Sequence, residues 1–185
     1  YRMDFAIAAF QMRNRLRLQA VTDGLTGLIN REGWNREAAA AYMSAHEGAR
    51  TLSFAFFDID HFKAVNDTHG HDAGDRVLQA LGRILRERTD RECISARLGG
   101  EEFVVLYTGC TPAQVEDRVR QVRDEFEREV AALRFKVTVS AGVAHRRPAE
   151  PMDQHLRRTD IALYEAKRAG RDRLVVSDMP TPATA

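Results

Sequence analysis

The sequence predicts an α/β (α+β) fold: a central, mostly antiparallel five-stranded sheet flanked by helices, with a ferredoxin-like core. Three observations carry this. Short β-favouring runs alternate with segments of helical period along the chain. Two runs, residues 93–98 and 102–107, are separated by little more than Gly99-Gly100, which marks a hairpin and therefore an antiparallel pair. Every other pair of runs is separated by a helix-length segment that can cover one face of the sheet.

The elements follow in order. Residues 1–22 contain no Gly or Pro, and Phe5, Ala8, Ala9, Met12 and Leu16 fall near helical spacing with Arg13, Arg15 and Arg17 between them. This is either the end of a signalling helix or an ordinary packed first helix; too few heptads are present to choose. Residues 23–31 form a turn-rich connector, and a helix over 31–46 includes the strong helix-forming run Ala38-Ala39-Ala40-Ala41. Residues 51–57 read as a buried strand ending in Asp58-Ile59-Asp60. A polar loop with Gly70 and Gly74 comes next. A helix over 74–88 then shows Val77, Leu78, Leu81, Ile84 and Leu85 on one face. After the hairpin, Thr111 is an N-cap, Pro112 the first helical residue and Gln114 the capping-box partner of a helix reaching about residue 132. A strand over 135–143, a helix over 152–168 closed near Gly170, and a short strand over 174–176 complete the fold. The domain reading is a linker helix over 1–22, one catalytic domain over 23–176, and a disordered tail over 177–185 with two prolines.

Composition narrows the function. The chain has 185 residues, 44% of them hydrophobic, enough for one domain with a full core. Its 28 Lys and Arg against 27 Asp and Glu give a net charge of +1. That balance argues against an electrostatic nucleic-acid binder, but not against a nucleotide, which needs only a few placed cations. Cys93 and Cys110 have no CxxC or Cys/His zinc spacing and are read as reduced thiols in a reducing compartment. No apolar run reaches the ~18 residues of a membrane span, and no signal-peptide pattern opens the chain. Because it opens on Tyr1 rather than Met, the chain is read as part of a longer protein.

Chemistry concentrates in four places. Asp58 ends an apolar strand, where α/β proteins place ligand-binding groups, although a lone Asp there serves equally as a loop or cap residue. Glu101 and Glu102 follow the glycine turn; they are either a solvated turn or carboxylates holding Mg²⁺ beside Asp58, a cation that takes one or two carboxylates plus substrate phosphates. The stretch 63–75 carries Asn66, Asp67, His71, Asp72 and Asp75, whose short polar groups either form a turn or read a guanine edge. Lys167 and Arg171 flank Gly170 at a helix end, where they serve either the helix dipole or a phosphate clamp.

Taken together, these segments resemble the GGDEF family of diguanylate cyclases. Arg97-Leu98-Gly99-Gly100-Glu101-Glu102-Phe103 resembles its signature in the GGEEF form, and Asp23-Gly24-Leu25-Thr26-Gly27-Leu28-Ile29-Asn30-Arg31 its opening DxLTGLxNR. Phe57-Asp58-Ile59-Asp60-His61-Phe62-Lys63, followed by Asn66-Asp67 and Gly70-His71-Asp72-Ala73-Gly74-Asp75, resembles its metal and guanine segment. Ala162-Leu163-Tyr164-Glu165-Ala166-Lys167 with Gly170-Arg171 resembles its closing motif. The four motifs occur in order over residues 23–173.

The resemblance implies a GGDEF/nucleotidyl-cyclase-like fold and the condensation of two GTP into cyclic di-GMP plus two pyrophosphates. It implies Mg²⁺, with Mn²⁺ as a substitute, held by Asp58, the Ile59 carbonyl and Glu101. Glu101 is also the implied base or metal-linked activator, Lys63 stabilises phosphate charge, and Glu102 stands beside them. Asn66 and Asp75 are the implied guanine ligands, His71 lines the nucleotide site, Phe62 is a further implied GTP-binding residue, and Lys167 and Arg171 are the implied ligands of the β- and γ-phosphates. Asp23 and Arg31 are implied to be structural. Partners are GTP and a second copy in a catalytic homodimer, with no nucleic acid. The implied location is cytoplasmic, with an upstream sensor or an inner-membrane anchor in the full-length protein. Asp75, where relatives making mixed dinucleotides tend to have Ser, favours guanine. The RxxD inhibitory motif is not matched, since Asp90 and Cys93 occupy its positions, with Arg88 and Arg91 nearby; standard product inhibition is therefore expected to be absent. Asp172 stands where the closing motif often has Asn.

The competing readings are a domain that binds GTP without turning it over, and a single-nucleotide cyclase or polymerase palm. Intact Asp58, Lys63, Glu101 and Glu102 argue against the first and the ordered motif set against the second. Trp34 reads as core, His46, His145 and His155 as surface, and His61 and His69 as structural.

Overall fold

The computed structural model describes residues 21–47, 50–89, 93–133 and 135–177. The expectations for residues 1–20, for Asp90 and Arg91, for the His46 side chain and for residues 178–185 lie outside the described residues. The described elements are α1 (Arg31–Glu47), β1 (Leu52–Ile59), α2 (Phe62–His69), α3 (His71–Arg88), β2 (Cys93–Gly99), β3 (Glu102–Thr108), α4 (Pro112–Ala131), β4 (Val139–His145), α5 (Met152–Arg168) and β5 (Leu174–Val176).

The five strands form one sheet in the order β2-β3-β1-β4-β5. The pairs β2–β3, β3–β1 and β1–β4 are antiparallel, and only β4–β5 is parallel. The β2-β3-β1-β4 order with crossover helices is the predicted ferredoxin-like core. At the outer side of β2, Ile29 of the connector bridges Ala96, and the Ile29 carbonyl accepts from the Arg97 amide at 2.9 Å.

Alternation along β1 separates two cores. Ala55, Phe57 and Ile59 face a core shared with Phe62, Val77, Leu81, Val119 and Phe126 of α2, α3 and α4. Leu52 and Phe54 face a second core with Trp34, Ala38 and Tyr42 of α1. Trp34 is thus buried, as the sequence predicts, with its ring 5.8 Å from that of Phe54. By the same period of two, Asp58 continues the second face toward α5, and its partner across the ladder is Glu102.

Helix α5 lies unusually close to the sheet. A Cβ on Gly142 of β4 would stand 2.2 Å from the Leu163 nitrogen and 2.7 Å from the Thr159 carbonyl oxygen. Glycine here is a condition of the approach.

Helix α4 starts as the sequence predicts: Thr111 accepts from the Gln114 amide and the Gln114 side chain accepts from the Thr111 amide, a complete capping box. Four sequence expectations are corrected. The polar loop before residue 74 is largely helix, because Phe62 and Val65 bury a face that outweighs the turn preference of Asn66, Asp67 and Thr68. Gly74 does not begin a helix but sits inside α3, where a Cβ would lie 1.9 Å from Asn66 Oδ1; the break is at Gly70, φ 84°. The fourth strand begins at Val139, not 135, since the Phe135 ring turns aside to stack on His69 at 4.2 Å. The hairpin loop is Gly100-Glu101 rather than Gly99-Gly100, because a bulge between Arg97 and Gly99 shifts the register and pairs Gly99 with Glu102.

His145 and His155 are buried, not on the surface. Nε2–H of His155 donates to the Ala144 carbonyl at 2.8 Å and its ring lies 4.6 Å from that of Phe54. Nδ1 of His145 lies 2.8 Å from Ser53 Oγ. Both are held beside Arg158, which binds Glu150 at 2.6 Å and the His145 carbonyl at 2.6 Å. These partners are carbonyls and a strand hydroxyl, which leave no spacing pattern in the sequence.

Candidate active site

The C-terminal end of β1 gathers the charged groups. Asp58 is buried, and its Oδ2 is 2.7 Å from Nζ of Lys167 on α5. Glu102 is its ladder partner, and the Glu101 carbonyl accepts from the Ile59 amide at 3.4 Å. Burial raises the Asp58 carboxyl above its ordinary value; Lys167 opposes this, while the negative charges of Glu101 and Glu102 add to it. The sequence-predicted Asp58, Ile59, Glu101, Glu102 and Lys167 are therefore one constellation.

The hairpin tip that carries Glu101 is fixed from below. Arg97 donates to the Gly100 carbonyl through Nε at 2.9 Å and Nη2 at 2.7 Å, and Nη1 meets Asp23 at 3.2 Å. Arg31 Nε donates to the Leu98 carbonyl at 2.8 Å, and its Nη2 lies 3.9 Å from Glu102. Asp23 also accepts from the Thr26 amide at 2.9 Å and hydroxyl at 2.6 Å. Burial would raise its carboxyl, but the Thr26 bonds and Arg97 outweigh that and hold it low. Asp23 and Arg31 thus brace the tip. Arg97 does so too, and sequence reasoning gave it no role.

The residues expected at the nucleotide base lie across the α2–α3 corner. Phe62 is buried and Asn66 half-buried on α2, with Gly74 against both. Asp75 follows Gly74, and Asp75, His71 and Lys63 are exposed. Arg171 lies beyond α5, its amide bonded to the Ala166 carbonyl at 3.0 Å. A cavity of about 500 Å³ opens between α2 and this loop, lined by Asp60, His61, His69, Phe135, Arg171 and Asp172. Of the sequence-predicted residues it includes only Arg171, so the carboxylate–lysine constellation, not this cavity, marks the chemistry.

Among the described residues, no three His, Cys, Asp or Glu side chains gather to hold a metal ion alone. Two carboxylates, Asp58 and Glu101, with the Ile59 carbonyl nevertheless suit Mg²⁺, which completes its shell with waters and phosphate oxygens. Asp60 is the other residue the sequence reading left without a role. It is 3% exposed and accepts from Thr138 Oγ1 and Ser140 Oγ at 2.7 Å each. Its place is the turn directly after β1, two residues beyond Asp58.

Known proteins match this arrangement. The sequence profile described as "Diguanylate cyclase, GGDEF domain" matches residues 20–173. Diguanylate cyclase DgcP of Pseudomonas aeruginosa is 40% identical over 168 residues, 87% of this chain and 24% of DgcP. Probable diguanylate cyclase DgcC of Escherichia coli is 34% identical over 171 residues, 89% of this chain and 45% of DgcC. The chain therefore spans less than half the length of these relatives. The structure of the coiled coil and GGDEF domain of DgcB from Caulobacter crescentus, in complex with c-di-GMP, superposes with a TM-score of 0.85 at 32% identity, covering 94% of this chain and 96% of that one. The active GGEEF domain of a Vibrio cholerae diguanylate cyclase gives 0.77 at 30% identity, covering 82% and 99%. The site geometry, the matched profile and these relatives agree, and the chain belongs to the GGDEF family of diguanylate cyclases.

Proposed function

We propose that this domain condenses two GTP into cyclic di-GMP and two pyrophosphates, with the working site formed where two copies face each other. The observation that carries the reading is the meeting of Asp58, Glu101, Glu102 and Lys167 at the end of β1. Asp58, Glu101 and the Ile59 carbonyl are the proposed Mg²⁺ ligands. Mg²⁺ there supplies charge neutralisation at the α-phosphate and the departing pyrophosphate and a more acidic 3′-hydroxyl.

The protein's own groups do the rest. Phe62, Asn66, His71 and Asp75 hold the guanine, with the Asp75 carboxylate accepting from its N1–H and N2–H₂. Lys167 and Arg171 hold the β- and γ-phosphates, and Lys63 meets charge building during transfer. In support, the Lys167 ammonium lies 2.7 Å from Asp58 Oδ2. The 3′-oxygen of one GTP attacks the α-phosphorus of the other, the bond to pyrophosphate breaks, and Glu101 takes the 3′-proton. Repeating this with the roles exchanged closes the ring. Each domain supplies one nucleotide, so the rate is largely set by how two domains are oriented. An upstream portion of the full-length protein is the proposed source of that control.

Standard product inhibition is proposed to be absent. In support, Arg88 is occupied by Glu125 at 2.5 Å and Gln121 at 2.7 Å, and Cys93 stands at the acid position of the motif.

The test is concentrated domain with GTP and Mg²⁺, followed by chromatography, with Glu101→Ala in parallel. Cyclic di-GMP from the parent alone is expected, with at least a hundredfold loss in the variant. No product from a parent that binds GTP and is demonstrably dimeric would replace the cyclase with a GTP-binding module.

A further inference from the structure

Asp60 is a buried carboxylate that makes no ion pair among the described residues. Its stability comes from three donors: Thr138 Oγ1 at 2.7 Å, Ser140 Oγ at 2.7 Å and the backbone amide of Asp172 at 3.1 Å. Thr138 and Ser140 belong to the entry and second residue of β4. The third donor lies in the loop between α5 and β5, far along the chain. Asp60 therefore ties the end of β1 to the segment that carries Arg171.

That segment is strained. Arg171 and Asp172 are consecutive non-glycine residues in the left-handed region, with φ 63° and 47°. Such a conformation persists only where surrounding contacts over-determine it. Here the Arg171 amide is bound by Ala166, the Asp172 amide by Asp60, and the Asp172 carboxylate by Arg123 Nη2 at 2.9 Å. Arg123 is itself anchored, its Nε donating to the Val139 carbonyl at 3.1 Å. Each pin acts on backbone or on Asp172, leaving the Arg171 side chain to project from a fixed base.

We propose that Asp60 is a positioning residue for triphosphate binding, acting through Arg171 without touching the nucleotide. The proposal rests on the reading of Arg171 as a phosphate ligand. It makes the second Asp of Asp58-Ile59-Asp60 distinct in role from the first: Asp58 faces the reacting groups, whereas Asp60 shapes the loop that grips the far end of the substrate.

The experiment measures affinity by calorimetry for Mg²⁺ with 3′-deoxy-GTP, which lacks the attacking hydroxyl, and for GMP, which lacks the β- and γ-phosphates. The proteins are the parent, Asp60→Asn, Arg171→Ala and the double variant, each checked for folding by near-ultraviolet circular dichroism. Arg171→Ala and Asp60→Asn are each expected to weaken 3′-deoxy-GTP roughly tenfold and leave GMP unchanged. The double variant is expected to bind no more weakly than Arg171→Ala, since both changes remove one function. If Asp60→Asn weakens GMP as much as 3′-deoxy-GTP, Asp60 is merely structural and the inference is overturned; it is overturned equally if Asp60→Asn alters neither while Arg171→Ala weakens the triphosphate. If Arg171→Ala itself changes nothing, the phosphate reading of Arg171 fails, and the inference with it. Should Asp60→Asn not fold, Arg123→Met loosens Asp172 from the other side. A smaller loss confined to 3′-deoxy-GTP supports the inference, and an unchanged affinity overturns it.

Discussion

Gly74 leaves room for the Asn66 side chain of the neighbouring helix. It sits in regular helix, so its backbone conformation is open to any residue. A Cβ would meet Asn66 Oδ1 at 1.9 Å, the far end of a side chain, and Phe62 Cζ at 3.2 Å, which need give only a few tenths of an ångström. Gly74→Ala should therefore be mild for stability, with a melting temperature within a few degrees of the parent, because Asn66 can swing away. On the proposed guanine role of Asn66, it should be severe for function, raising the KM for GTP roughly tenfold. Thermal unfolding and initial rates on one preparation check both halves; a large melting shift with an unchanged KM would contradict the argument. In the sequence, Gly74 looks like punctuation, and only the neighbouring helix reveals it as clearance. Asp60 was hidden for a related reason: its donors Ser140 and Asp172 lie 80 and 112 positions away.

Among the elements, α5 links the most parts of the site. It rests on β4 at Gly142, carries Lys167 to Asp58 and leads into the Arg171 loop. Gly142→Ala differs from Gly74→Ala because the obstacle is the helix backbone, with Leu163 N at 2.2 Å and Cα at 2.7 Å, which has no side-chain freedom to give. The expected cost is about 1–3 kcal/mol, or several degrees in melting temperature for a chain of this size, measured by thermal or denaturant unfolding. The lifted helix should also draw Lys167 away from Asp58. Most element boundaries were legible: α5 and β5 fall where the hydrophobic period and the Gly170 signal put them, and the capping box of α4 is complete. Helix α2 was not legible, since eight residues with Asn, Asp and Thr carry too short a period to outweigh their turn preference. The tertiary burial of Phe62 and Val65 decides it.

For the molecule as a whole, the buried polar cluster under α1 sets its response to acid. Burial lowers His155 from 6.5 to about 4, against the smaller raising effects of its bond to Ala144 and of Glu150, with Arg158 and Arg146 adding to the fall. Burial also lowers His145, while Arg158 holds Glu150 low despite burial. At these histidines the folded state thus binds fewer protons than the unfolded chain below pH 6.5, so their contribution to stability is fully present above that pH and is lost as pH falls toward 4. His155 alone should cost on the order of 2 kcal/mol between pH 7 and 5. Glu150 adds its loss below its ordinary 4.5. Urea midpoints across this range should fall steadily, and His155→Gln should make the slope shallower. A flat profile would mean the cluster opens to water.

The sheet also has a bearing on how copies can meet. One edge is the three-residue β5, and the other, β2, is bridged from outside by Ile29 of the connector. Short or covered edges give a second chain little backbone to extend. Strand-to-strand addition, the commonest unwanted route of association for β-proteins, is thereby discouraged at both ends of the sheet. Two copies brought face to face, as proposed for catalysis, can then meet through loops and helices, without the same closeness inviting fibrous aggregation.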